Sequence, residues 1–162
     1  MVKRVDTHKH LGLYLNYNLD WSVQCNHACL KAYRKLAVLR SVKLLRRHTL
    51  DVLYKITVRS VLDYSLPVYF NSLSAKLKAK LEKIRYTAAK IVSGALHNTS
   101  RVSLNNELAW ESISTRAEYL GLAIFHKIVK NETRPLIRDC LPPRSMNFVT
   151  LRSEGLQNFP FK

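Results

Sequence analysis

The segment from His48 to Phe70 constrains the fold most, because its apolar residues recur at helical spacing. Intervals of three and four residues place apolar side chains on one face of a helix. Thr49 is predicted to cap the start of this helix. Pro67 is predicted to stop it, with Ser65 and Leu66 as the exit. We therefore expect a central amphipathic helix that packs against its neighbours. Its apolar positions are Leu50, Leu53, Tyr54, Val58, Val61, Leu62 and Tyr64.

Two stretches that flank this segment show the same spacing. One predicts a helix over residues 21–45 with Asp20 as its cap, and the other predicts a helix that begins at Ser72 or Ser74 and stops at Gly94. Each has an apolar stripe that a core would cover. The stripe of the first comprises Trp21, Cys25, Ala28, Cys29, Ala32, Leu36 and Leu39, and that of the second comprises Leu77, Leu81, Ile84, Ala88 and Ile91.

Beyond Gly94 the helical pattern comes in shorter pieces. A short helix is expected around Ser103–Trp110, and Ser114 is predicted to cap a further helix that runs to about Lys130. The apolar face of that last helix comprises Ala117, Leu120, Ile124 and Ile128.

One short strand is indicated near the start of the chain, because residues 10–15 alternate between leucine and other residues. No second strand is evident from the pattern. A lone strand cannot satisfy its own backbone hydrogen bonds, so we expect that this strand has lost its pairing partner.

The predicted fold is mainly α, a helical bundle of four or five helices with one short N-terminal strand. Only four glycines and five prolines occur in 162 residues, which favours long helices over many turns. Residues 1–20 are expected to hold the strand and a turn, 21–143 the helical domain, and 144–162 a mobile tail. The three-helix core is predicted between Trp21 and Gly94.

The charge of the chain indicates its class of partner. Its 27 Lys and Arg residues against 11 Asp and Glu give a net charge of +16, which favours a polyanion such as nucleic acid. A membrane surface is the competing reading, although no apolar run approaches the ~20 residues that span a bilayer. An odd number of cysteines and the lack of a signal-peptide pattern predict an intracellular protein.

An ordered set of motifs carries a family resemblance. The run Leu53–Phe70, followed by Leu81–Ala95, resembles the region just after the polymerase palm in reverse transcriptases of non-LTR (LINE-like) retrotransposons. The other pieces, in the order of that family, are His10–Leu15 with Trp21, then Glu107–Arg116 and Leu141–Pro143. Ser60, Tyr69 and Arg85 depart from the usual Pro, Trp and Gln of the family.

The resemblance implies a thumb and post-thumb segment that grips the template–primer duplex behind the active site. It implies that the strand is the last piece of the palm, near the primer grip, and that the catalytic palm is missing upstream. The expected partners are therefore RNA, DNA or an RNA–DNA hybrid, and the missing palm. No two acidic residues are adjacent in the chain, so the paired aspartates of the polymerase are absent. We expect no enzymatic activity, no cofactor and no metal.

Basic side chains on the helix flanks are the candidate contacts to nucleic acid, because Lys and Arg bind phosphates with little regard for sequence. A solvated helix face is the alternative for any one of them. Tyr33, Tyr69 and Tyr86 could stack on bases, or lie in the core. The candidate set comprises Lys35, Arg46, Arg47, Lys76, Lys80, Lys83, Arg85 and Lys90.

Other chemistry is less well supported by the sequence. Cys25, His27 and Cys29 suggest zinc, but on a helix His27 points away from the two cysteines, so buried thiols are the alternative. Arg59 and Asp63 are four apart, which predicts a surface ion pair. Two other hypotheses for the whole chain stay open: a genomic remnant without selected function, and a helical module that binds acidic proteins.

Overall fold

The chain folds into a mainly helical structure, as the sequence predicts. The structure is a computed structural model and describes residues 6–96 and 98–130. The strands are β1 (Thr7–His10) and β2 (Leu13–Asn16). The helices are α1 (Ser22–Ser41), α2 (Arg47–Leu53), α3 (Ser60–Asp63), α4 (Leu66–Tyr69), α5 (Ala75–Ser93), α6 (Arg101–Leu108) and α7 (Ile113–Val129).

The core lies between α1, the segment from α2 to α3, and α5, which is the predicted three-helix arrangement. The predicted stripe of α1 is buried from Cys25 to Leu39, and that of α5 is buried at Leu81, Ile84 and Ala88. Trp21, Leu77 and Ile91 pack against this core while partly exposed. Burial of these apolar side chains supplies the main driving force for folding.

The central helix contains a π-helical segment that the sequence pattern does not reveal. Helix α2 continues without a break into the π turns of Tyr54–Arg59 and then into α3. Because Leu50, Tyr54, Val58 and Leu62 are four apart, they still face the core and are buried.

The predicted cap of the central helix and the predicted role of Pro67 need correction, whereas the predicted exit at Ser65 agrees with the structure. The helix begins at Arg47, so Thr49 lies inside it and is not the cap. The helix ends at Asp63, because Ser65 adopts a left-handed conformation with φ of 54°. Pro67 lies in the first turn of the short helix α4, where its missing N–H has no helical partner to lose.

The N-terminal strand has a partner, which corrects the prediction of a lone strand. Strand β2 pairs antiparallel with β1, with His10 opposite Leu13. Leu11 and Gly12, at φ of 46° and 84°, form the two-residue turn. Strand β1 is exposed along its whole length and polar in sequence, so no alternation of apolar residues marks it. The prediction that this strand has lost its pairing partner is therefore wrong.

A hydrogen bond fixes this hairpin to α1, and local hydrogen bonds satisfy backbone donors at the starts of α1 and α7. The buried Gln24 on α1 accepts a bond from the backbone N–H of Tyr14 at 3.0 Å. Asp20 accepts from the backbone N–H of Ser22 at 2.9 Å and so satisfies one donor at the start of α1. The residue at the cap position is Trp21, with a left-handed backbone, so the prediction of Asp20 as the cap is one residue too early. At α7, Ser112 rather than Ser114 accepts the backbone N–H in the first turn, from Thr115 at 3.0 Å.

The chain divides into two units, Met1–Leu122 and Ala123–Lys162. The hairpin and helices α1–α6 belong to the first. Of the second, the structure describes residues 123–130, which include the end of α7. The predicted tail, 144–162, lies outside the described residues, as does the Leu141–Pro143 motif.

Candidate nucleic-acid interface

Helix α1 and the turn that follows it carry positive charge without any negative charge. Residues 21–50 contain seven Lys and Arg residues and no Asp or Glu. Lys31, Arg34, Lys35 and Arg40 are all exposed on α1, and none forms an ion pair with a described residue. Their charges stay available to an external partner.

Helix α5 adds three exposed lysines at its N-terminal end. Lys76, Lys80 and Lys83 lie on one flank of the helix, as predicted, and also lack a carboxylate partner among the described residues. Lys80 donates to Asn26 Oδ1 on α1 at 2.7 Å, which connects the two groups of cations. We call the seven exposed cations of the two helices the basic surface: Lys31, Arg34, Lys35, Arg40, Lys76, Lys80 and Lys83.

The hairpin extends the positive charge around His27 on α1. The ring centroids of Tyr14 and His27 lie 4.4 Å apart. The ammonium nitrogen of Lys9 lies over the Tyr14 ring, 5.6 Å from its centroid. Burial lowers the pKa of His27, and the nearby charges of Lys31, Lys9 and Arg34 lower it further. The lowered pKa of His27 therefore reflects, in part, the positive potential at this end of the molecule.

Three of the predicted contact residues already have partners within the protein. Arg85 is 6% exposed, and its guanidinium donates to Glu82 at 2.7 Å and to Asn105 at 2.8 Å. Arg85 is therefore an internal cation and not a surface contact. Arg47 pairs with Glu107 at 2.7 Å, and Lys90 packs over the Tyr86 ring at 4.4 Å.

Exposure separates the remaining candidates. Lys35, Lys76, Lys80, Lys83 and Arg46 are exposed and make no ion pair with a described residue. The predicted set did not include Lys9 or the α1 residues Lys31, Arg34 and Arg40. The absence of acidic residues from 21–50 is the sequence signal that could have identified the three on α1.

The three tyrosines that could have stacked on bases differ in burial. Tyr69 is fully buried, which excludes it from a surface role. Tyr86 is half-buried, and its hydroxyl donates to the carbonyl of Thr99. Tyr33 remains 38% exposed on α1, within one turn of Lys31, Arg34 and Lys35, and so is the tyrosine that can reach a ligand on the basic surface.

The described ion pairs all involve residues outside the basic surface. We call the residues that form these ion pairs the paired side. Asp63 accepts from Arg116 at 3.1 Å and lies 3.7 Å from Arg59, so the predicted Arg59–Asp63 pair exists but is half-buried and shared with α7. The other described pairs are Arg47–Glu107, Lys55–Asp51 and Arg85–Glu82.

Cys25 and Cys29 lie in the core, as expected for buried thiols. Cys25 and Cys29 are both buried and not bonded to each other as a disulfide, while His27 faces the hairpin. The hydrogen bond with Cys29, together with burial, raises the pKa of Cys25 and so favours its thiol form. Across residues 6–96 and 98–130, no three His, Cys, Asp or Glu side chains are close enough to hold a metal ion.

None of the helices in the described part of the chain combines the length and apolarity that crossing a membrane demands. Comparisons of the chain with models of protein families, with curated proteins and with solved structures found no match.

Proposed function

We propose that this chain is a thumb-like helical module of a non-LTR retrotransposon reverse transcriptase, and that it binds the backbone of template–primer nucleic acid through the basic surface. The ordered motifs between residues 6 and 143 support the family assignment. The catalytic palm would lie outside these residues, so the chain on its own binds without polymerising.

The observation that carries this proposal is the separation of paired from unpaired cations. The seven cations of the basic surface have no carboxylate neighbour among the described residues, while the paired side uses Asp51, Asp63, Glu82 and Glu107. Unpaired cations contribute most when a polyanion supplies the missing negative charge.

Binding of this kind is governed by counterion release. Each phosphate that the protein neutralises adds about −0.9 to the slope of log affinity against log salt concentration for a duplex. If all seven cations contacted phosphates, the slope would be no steeper than about −6, and fewer contacts give a proportionally shallower one. The contacts would be to backbone phosphates, so affinity should depend little on sequence.

Fluorescence anisotropy with a labelled RNA–DNA hybrid duplex, titrated at salt concentrations from about 50 to 200 mM, tests the proposal. We expect binding at low salt that weakens steeply and linearly on logarithmic axes. Two hybrids of unrelated sequence should bind alike. Binding that does not change with salt, or no binding at the lowest salt, would contradict the proposal.

A further inference from the structure

A second concentration of basic side chains lies in a cleft away from the basic surface. The cleft has a volume of about 310 Å³ and is bounded by the π-helical segment, α5 and the connection between α6 and α7. Clefts of about 300–1,000 Å³ are typical of small-molecule sites. We call it the arginine cleft. Its basic lining residues are Lys55, Arg59, Arg85 and Arg116.

The π-helical segment places its side chains on the wall of this cleft. The backbone hydrogen bonds of a π turn join residues i and i+5. Tyr54, Lys55 and Arg59 all belong to this segment, and all three line the cleft. Segments of this kind occur frequently at functional sites.

The opposite wall is held rigidly. The Trp110 ring stacks on Tyr54 with centroids 3.9 Å apart and planes 13° apart, and its indole N–H donates to Asp51 at 2.9 Å. Ala109 at the rim adopts a left-handed conformation with φ of 51°, which carries strain for a residue with a Cβ. These contacts fix the shape of the cleft before any ligand arrives.

Carboxylates support the arginines from outside the cleft. Glu82 uses one oxygen for Arg85 and the other for the backbone N–H of Ile113. A single oxygen of Asp63 serves both Arg116 and Arg59, at 3.1 Å and 3.7 Å. Neither carboxylate lines the cleft, and Glu111 is the acidic residue among its described lining residues.

The consequence is an excess of donors that face the cleft. A guanidinium has five N–H donors, and the two shared contacts to Asp63 use only part of those on Arg59 and Arg116. Each of the four cations has a carboxylate partner behind the lining, at Asp51, Asp63 or Glu82, so an anion would be held by the unused N–H donors and not by excess charge. The planar fork of arginine fits the oxygens of a phosphate in pairs.

We propose that the arginine cleft binds a phosphate monoester, with Arg59 and Arg116 holding its oxygens. The ester could belong to a small molecule or to the phosphorylated end of a nucleic acid strand. This site uses none of the seven cations of the basic surface, so it stands or falls independently of the function proposed above.

Thermal unfolding of the full chain tests the site, with inorganic phosphate compared to chloride at equal ionic strength. We expect phosphate to raise the unfolding temperature saturably. Arg59→Gln should weaken the apparent phosphate affinity about tenfold, since hydrogen bonds to charged groups contribute that much. Asp63 keeps Arg116 in this variant, so the fold should persist.

Lys127→Gln is the matched control, because it removes the same charge from an exposed site on α7 that belongs neither to the basic surface nor to the cleft. It should leave phosphate stabilisation unchanged. Lys55→Gln gives a second variant of the cleft wall, and its exposed pair with Asp51 contributes little to stability. It should weaken phosphate binding in the same direction as Arg59→Gln. Equal stabilisation by phosphate and chloride, or equal loss in Arg59→Gln and Lys127→Gln, would overturn the proposal.

The source of the ester is distinguished with two further probes. Tighter binding of a 5′-phosphorylated oligonucleotide than of its 5′-hydroxyl form, lost in Arg59→Gln, assigns the site to strand ends. Equal binding of both oligonucleotides, together with displacement of phosphate by a mononucleotide, assigns it to a small ester. Failure of both probes and of phosphate would refute the site while leaving the salt-dependent binding of the hybrid untouched.

Discussion

The basic surface and the paired side contain the same kinds of side chain but perform different tasks. On the paired side each cation meets a carboxylate, and two of the contacts join α6 and α7 to the central helix. On the basic surface the cations meet no carboxylate among the described residues. The difference indicates that the paired cations contribute to the fold, whatever N–H donors they have left for the arginine cleft, while the unpaired cations make no ion pair that the fold depends on.

The largest expected effect is on the paired side, at Glu82. Glu82→Ala removes the partner of the buried Arg85 and the acceptor of the Ile113 N–H. Leaving one member of a buried pair uncompensated costs about 3–5 kcal/mol of the free energy of unfolding. Chemical denaturation monitored by circular dichroism measures it.

The double variant Glu82→Ala with Arg85→Met is the control for that experiment. It removes the charge that was left alone, and it should recover part of the lost free energy of unfolding. If Glu82→Ala lowers the free energy of unfolding by less than about 1 kcal/mol, the Arg85–Glu82 pair contributes no more than an ordinary surface pair. That result would contradict the difference in stability between the paired side and the basic surface.

A pH effect of intermediate size is expected at the hairpin end. Burial and the charges of Lys31, Lys9 and Arg34 hold the pKa of His27 below its usual value of 6.5. As pH falls, His27 is therefore protonated in the unfolded chain before it is protonated in the folded one. The stability that neutral His27 contributes is present above pH 6.5 and is lost as pH falls below 6.5 towards the lower pKa of the folded state.

Bound phosphates would cancel the neighbouring charges and raise the pKa of His27 again. Nucleic acid binding should then tighten as pH falls from about 7 to 6, and His27→Gln should remove that pH dependence. An NMR titration of the His27 ring, with and without the hybrid duplex, measures both pKa values. Identical midpoints would show that the ligand lies away from this end of the molecule.

The smallest effect concerns stability on the basic surface. Combined Lys31→Gln and Lys35→Gln substitutions should change the free energy of unfolding by less than about 0.5 kcal/mol, and in the stabilising direction, since they reduce self-repulsion. The same denaturation measurement tests this. A clear destabilisation would mean that these cations hold the fold and would remove the distinction from the paired side.

Helix periodicity predicted the core well, because burial of α1 and α5 depends on local spacing. Cys25 to Leu39 and the stop at Gly94, with φ of 67°, follow from that spacing and from glycine's tolerance of left-handed backbone. The hairpin escaped detection because β1 is polar and exposed throughout, and because leucine rather than asparagine precedes Gly12 in its turn.

The candidate site was predicted only in part, since pairing depends on residues distant in sequence. Helical spacing placed Lys76, Lys80 and Lys83 on one exposed flank, as found. It could not show that Glu82 and Asn105 enclose Arg85, because Asn105 comes from another helix. The π-helical segment has no periodic signature of its own, so the arginine cleft was not foreseen.

The most direct test compares two double variants of equal charge in hybrid-duplex binding across a salt series. The hybrid has 5′-hydroxyl ends, so that it offers no phosphate monoester to the arginine cleft. Lys76→Gln with Lys83→Gln removes unpaired cations, and Arg47→Gln with Lys55→Gln removes paired ones. We predict that the first makes the salt slope shallower by about 2, while the second leaves it close to that of the unaltered chain. Equal changes in both variants would contradict the claim that unpaired cations form the interface.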